Sequence, residues 1–129
     1  MLAIDTNVLV RFVVDDDPRQ ARVARALLES EDAFVSSTVL LEAEWVLRSG
    51  YAFSRPAVLE ALNAICGLPG VILAEPSRVM TALGWMKAGM DFADALHLAA
   101  TEGCDAFVTF DRRLAKSAAG AETPPIRLI

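Results

Sequence analysis

The chain is poor in the residues that staple, decorate or anchor a protein. It has two cysteines, Cys66 and Cys104, in no C-x-x-C spacing, and a single histidine. That excludes a disulfide framework and a cysteine–histidine zinc site, and it fits a reducing compartment. No segment reaches the ~18 uncharged apolar residues that a membrane span requires. The apolar N-terminus is interrupted by Asp5 and Arg11 and shows neither a basic leader nor a small-residue cleavage site. The expectation is a soluble, cytoplasmic protein with no membrane association. A basic surplus is also missing: 12 lysines and arginines against 17 acids give a net charge of −5. A general binder that coats duplexes with positive charge is therefore excluded.

What is present is a chain of 129 residues with 54% hydrophobic content, enough to bury one core without staples. The expectation is a single domain over 1–129, with no repeat, low-complexity tract or linker. Short apolar runs at 2–4, 33–36, 71–73, 106–110 and 126–129 read as strands. Between them, apolar periodicity predicts helices over about 7–13, 18–29, 38–48, 55–66, 77–88, 92–102 and 111–118. Asp17 before Pro18 reads as a cap with proline at the first helical position, so the Asp15–Asp17 run is structural. Ser37 or Thr38 reads as the cap of the helix that follows the second strand. Short strands alternating with helices imply an α/β fold with a mostly parallel sheet covered on both faces.

Four acids stand where a strand yields to a helix or just inside a helix start: Asp5, Glu42, Asp94 and Asp111. Ligands in open α/β sheets bind beyond the carboxyl ends of the strands, and this topology carries Asp5, Glu42 and Asp111 there. Asp94 reaches the same edge if its helix runs antiparallel to the following strand. Clustered carboxylates raise one another's pKa, so gathering them makes sense around a cation. The plain alternative for Asp5 and Asp111 is helix capping, and Asp91 reads as the cap of the helix that carries Asp94. Glu42 lies on a stripe with Val39 and Val46, which favours it as the functional glutamate, whereas Glu44 with Arg48 four residues on reads as an exposed ion pair. His97 reads as a core or rim residue. Thr6, Asn7, Ser37 and Thr109 are short polar groups able to cap helices, hold carboxylates or orient water. Arg48, Arg112, Arg113 and Lys116 could form a basic rim beside the acids.

The segments Ile4-Asp5-Thr-Asn-Val-Leu, Ser37-Thr-Val-Leu-Leu-Glu42, Asp91-Phe-Ala-Asp94-Ala-Leu-His97 and Val108-Thr-Phe-Asp111 resemble the PIN-domain nucleases, and among them the VapC-type ribonuclease toxins of toxin–antitoxin pairs. The likeness covers essentially the whole chain, with four motifs in the family's order. It implies a PIN-like three-layer α/β/α fold with a short-stranded, mostly parallel central sheet. It also implies that Asp5, Glu42, Asp94 and Asp111 form the acidic quartet, with Asp5 and Asp94 as direct magnesium ligands. Thr6, Asn7 and Thr109 match the polar positions beside the acids. No acidic position departs from the pattern.

The implied activity is endoribonuclease cleavage with Mg²⁺, or Mn²⁺, leaving a 5′-phosphate and a 3′-hydroxyl. Hard divalent ions prefer such oxygen ligands, and magnesium takes only one or two carboxylates directly. The target is single-stranded or looped RNA, whose splayed backbone reaches a recessed acidic centre. The resemblance further implies a VapB-like antitoxin and a homodimer, for which Trp45, Phe53, Trp85 and Met86 are candidate contacts, each with burial in the core as the plain alternative. Two other classes fit parts of the sequence. An aspartate-nucleophile phosphohydrolase places an acid after its first strand but wants a second aspartate where Asn7 stands. A non-catalytic binding module would keep the acids as caps.

Overall fold

The computed structural model describes residues 1–129. The chain divides into two compact units, Met1–Pro76 and Ser77–Ile129.

The first unit carries three short parallel strands, β1 (Leu2–Ala3), β2 (Ala33–Val35) and β3 (Val71–Leu73), in the order β1-β2-β3. Leu2 pairs with Ala33, and Ala33 in turn with Val71. Parallel neighbours require helical crossovers, and the sequence supplies them as α1 (Thr6–Val13), α2 (Pro18–Ser30), α3 (Ser37–Trp45) and α4 (Arg55–Cys66). The starts are chemically marked. Asp17 accepts a hydrogen bond from the Gln20 amide, and Ser54 accepts one from the Ala57 amide, each with proline in the first turn. Leu9, Val10, Ala24, Leu28, Val35, Leu40, Leu47, Leu62 and Ile65 are buried and form this unit's core. α1 packs against both α2 and α3.

Two expected boundaries move. The cap of α3 is Ser36, whose Oγ accepts from the Val39 amide at 3.3 Å and also lies 3.0 Å from Thr38 Oγ1. In a Ser-Ser-Thr run any of the three could cap. The α-helical pattern stops at Trp45, before the expected Arg48, and passes into one turn of π-helix over Val46–Gly50. The Tyr51 amide closes that turn onto the Val46 carbonyl at 3.2 Å, the i to i+5 spacing of a widened turn.

The second unit holds α5 (Pro76–Lys87, entering from the last residue of the first unit), α6 (Phe92–Ala99), β4 (Phe107–Thr109), α7 (Arg112–Ser117) and β5 (Ile126–Leu128). β4 and β5 pair in parallel, Phe107 with Ile126 and Thr109 with Leu128. Val79, Leu83, Met86, Met90, Phe92, Leu98 and Leu114 are buried. α6 ends earlier than expected because the Thr101 hydroxyl donates to the Leu98 carbonyl at 2.6 Å and Gly103 turns the chain with φ of +85°. Strands, helices and parallel pairing otherwise match the sequence expectation of a mixed α/β fold. No helix is long and apolar enough to cross a membrane.

Candidate active site

Asp5 follows β1 and caps α1, its Oδ1 accepting from the Thr6 amide at 2.9 Å. Its side chain is exposed while Thr6 is buried, so the carboxylate is held at the rim by a fixed neighbour. All strands of this unit run the same way, so β1 and β2 end at one edge. Asp5 sits at that edge, and Glu42 lies a turn and a half into the helix that leaves it.

The environment of the two glutamates is the reverse of the sequence expectation. α3 buries Leu40, Ala43 and Glu44, and Glu44 is only 4% exposed. Glu42 is exposed, and its supposed stripe partners Val39 and Val46 are only half-buried. Residues two apart on a helix lie about 200° apart around its axis, so Leu40 and Glu42 point away from each other. The buried face includes Leu47 and is completed by the acid at 44 rather than the one at 42. Glu44 is satisfied by Arg48, whose Nε donates to Glu44 Oε1 at 2.9 Å, a half-exposed guanidinium on a buried carboxylate. Glu42 is thus the glutamate free to face solvent, a metal or a substrate, although not for the reason its neighbours suggested.

In the second unit, Asp91 caps α6 by accepting from the Asp94 amide at 3.2 Å, as expected. Asp94 is half-buried in the first turn of that helix. Burial pushes its carboxyl above the usual carboxylate value, the charges of Asp91 and Asp111 push it further, and His97 opposes them. Asp94 therefore lies within the electrostatic reach of both acids. Asp111 ends the segment after β4 and caps α7, with Oδ1 accepting from the Arg113 amide at 2.8 Å and the Leu114 amide at 3.2 Å. Thr109 Oγ1 accepts from the Asp111 backbone amide at 2.9 Å. His97 is exposed, at the rim rather than in the core.

Asn7 is exposed and borders a groove of about 290 Å³ between α1 and α2, with Val8, Arg11, Arg19, Gln20 and Val23. A larger cavity of about 640 Å³ lies between α5, the end of α6 and residues 117–124, and none of the four acids lines it. Neither cavity is lined by any of the four acids, so cavity size does not single them out. Of the candidate contact residues, Trp45 is exposed, Phe53 and Trp85 are half-buried, and Met86 belongs to the core. Burial pushes the Cys66 thiol up to about 11, which removes it as a nucleophile at neutral pH.

One cluster gave no signal in the sequence. Tyr51 donates to Asp16 Oδ2 at 2.8 Å and accepts from Arg11 at 3.0 Å, and Arg11 also binds Asp16 at 2.6 Å and Gln20 at 2.7 Å. The tyrosine lies 40 residues from Arg11, and only the turn after the π-helical segment brings them together.

No three acidic, cysteine or histidine side chains stand close enough to form a ready-made metal cage. Within the second unit, Asp91, Asp94 and Asp111 nevertheless offer oxygen ligands of the kind a hard divalent ion takes, and Asp94 sits in a repulsive field that a cation would relieve. Comparison with curated proteins gives no match. The profile of the PIN domain matches residues 2–120. PIN domains are in general nucleases, hydrolases that typically use divalent metals. Since the match takes in all four acids and nearly the whole chain, this protein belongs to the PIN-domain family.

Proposed function

We propose that this PIN-domain protein is a metal-dependent endoribonuclease in which Asp5, Glu42, Asp94 and Asp111 supply the working carboxylates. The observation that carries the proposal is the placement of Asp94 within reach of Asp91 and Asp111, which raises the cost of its negative charge in a member of a nuclease family. The profile match runs through both compact units, which supports taking 1–129 as one PIN domain.

Asp94 and Asp5 are the residues that would hold Mg²⁺, or Mn²⁺ in its place. When bound, the ion supplies an activated water and neutralises charge on the scissile phosphate. Glu42, being exposed, orients the attacking water and accepts its proton. Asp111 adds negative charge that draws the cation, and Thr109 holds its backbone in place. Water attacks phosphorus, the bond to the 3′ oxygen breaks, and the products are a 5′-phosphate and a 3′-hydroxyl.

The protein further fits the toxin of a VapBC-type pair acting in the cytoplasm as a homodimer, with a VapB-like antitoxin as its partner. The four motifs of that resemblance support this role, and exposed Trp45 is the best placed of the proposed contacts. A binding-module reading draws on the capping roles of Asp5 and Asp111, which need no chemistry.

The deciding experiment incubates an end-labelled pool of structured RNAs with the protein and Mg²⁺ or Mn²⁺, beside EDTA and Asp94→Asn. Cleavage leaving 5′-phosphates that vanishes in EDTA and in the variant is the expected result. Products with 5′-hydroxyls, or equal cleavage by the variant, overturn the proposal. Metal-independent RNA binding without cleavage would favour the binding module.

A further inference from the structure

Phe110 is 80% exposed, more than any other large apolar side chain of the protein, and it sits directly between Thr109 and Asp111. Its backbone is not slack. Thr109 Oγ1 takes the Asp111 amide, Asp111 Oδ1 takes the amides of Arg113 and Leu114, and the Ile129 amide donates to the Thr109 carbonyl at 3.0 Å. The ring is therefore presented to solvent from a pinned turn, and its exposure is not the result of a frayed end.

The surroundings give the ring a context. Phe110 stands one residue past the end of β4, and the parallel register sets Arg127 beside Val108, with Ile129 just past the end of β5. Val108 and Ile129 are exposed as well, as is Arg127. Arg112 and Arg113, both exposed, follow Asp111 in the first turn of α7. In a chain of net charge −5, the stretches 107–113 and 126–129 carry three arginines and the single acid Asp111. A pinned exposed aromatic ring with two exposed arginines close behind it in the chain and a third on the paired strand matches single-stranded nucleic acid, whose unstacked bases offer π-faces and whose phosphates offer anions.

We propose that Phe110 is a stacking platform for an unpaired base of the RNA, with Arg112, Arg113 and Arg127 binding the neighbouring phosphates. This rests on the ribonuclease reading and specifies how the substrate is held: the base beside the scissile phosphate lies on Phe110, and the adjacent Asp111 faces the reacting group. Because every base has a π-face, the contact selects unpaired over paired RNA rather than one base over another.

The test separates binding from cleavage. A short unstructured oligoribonucleotide containing 2-aminopurine is titrated in EDTA with wild type, Phe110→Ala and Phe110→Trp. The alanine variant is expected to bind about 5- to 160-fold more weakly. Wild type and the tryptophan variant are expected to keep affinity and quench the 2-aminopurine, and the alanine variant to lose the quenching. Unchanged affinity and quenching in Phe110→Ala overturn the stacking role. Loss of self-association in Phe110→Ala with RNA affinity intact overturns it too, and assigns the face to a second copy of the chain. Magnesium-dependent cleavage by wild type is measured in parallel. Cleavage by wild type with no binding defect in the variant removes only the platform, whereas wild type that neither binds nor cleaves RNA removes the ribonuclease reading with it.

Discussion

Glu44 accepts a hydrogen bond from Arg48 at 2.9 Å inside the packing of α3, while Glu42, two residues earlier, faces solvent. The two glutamates should therefore separate by what their loss damages. Arg48→Ala leaves a buried carboxylate short of its donor, at a cost of about 1–3 kcal/mol. Half of the arginine is exposed, so the full penalty of a deeply buried pair is not expected. Glu42→Gln should change stability by less than about 0.5 kcal/mol, as surface substitutions do, while abolishing cleavage. Urea denaturation and RNA cleavage on the same preparations check both. A destabilised Glu42→Gln with intact activity would reverse the assignment.

Asp94 should make the protein more stable in mild acid than its removal would predict. Its carboxyl is raised by burial and by Asp91 and Asp111, so the folded state holds this proton more tightly than the unfolded chain does. Stability contributed by the group then falls as pH rises through the window just above its ordinary value of 3.8. At neutral pH, Asp94→Asn should raise stability, by less than about 1 kcal/mol because the group is only partly buried and solvent still screens it. The gain should shrink towards pH 4. Added Mg²⁺ should stabilise wild type and leave the variant unmoved in thermal denaturation. A variant less stable than wild type at neutral pH, with no magnesium effect in either, would remove the electrostatic argument.

The elements were legible in the sequence wherever local chemistry decides them. Asp17-Pro18 and Ser54-Arg55-Pro56 mark helix starts through capping and proline geometry, and the structure follows both. Asp91 and Asp111 cap their helices for the same reason. Which helix face is buried was not legible, because α3 and the turn after it offer two rival apolar stripes, Val39 with Val46 and Leu40 with Ala43 and Leu47. Tertiary packing chose the Leu40 side and so exposed Glu42. The Arg11–Asp16–Tyr51 cluster was invisible for a related reason: it depends on a turn of π-helix, which no local propensity announces. The four acids were singled out through their motifs, since capping alone explains Asp5 and Asp111 equally well.

Gly70 is required by a close backbone approach. A Cβ at this position would stand 2.9 Å from the Glu31 carbonyl oxygen, and the neighbouring Ala33 amide donates to the Gly70 carbonyl at 2.8 Å. Neither group is a flexible side-chain end, so Gly70→Ala must shift the start of β3 against β2. The expected cost is about 1–3 kcal/mol, the range for overpacking a fitted site. Gly84→Ala is the control, because nothing lies within 4 Å of its Cβ position and it sits within α5. That change should stabilise by up to about 1 kcal/mol through helix propensity. Equal effects of the two substitutions in urea denaturation would refute the steric account.

Asp111 carries two duties that substitution can divide. As a cap it accepts from two amides of α7, and as a carboxylate it contributes to the field at Asp94. Asn keeps the oxygen that accepts those bonds but loses the charge, whereas Ala loses both. Asp111→Asn should therefore fold with stability within about 0.5 kcal/mol of wild type, since asparagine caps about as well as aspartate. Asp111→Ala should lose about 1 kcal/mol. Both should lose RNA cleavage to a similar extent, about 10- to 100-fold, because the lost charge no longer helps to draw the cation. Removing the charge should also lower the Asp94 carboxyl towards its ordinary value, which a carboxyl-resolved NMR titration would read directly. Cleavage that survives in Asp111→Asn but fails in Asp111→Ala would show that the residue serves only as a cap.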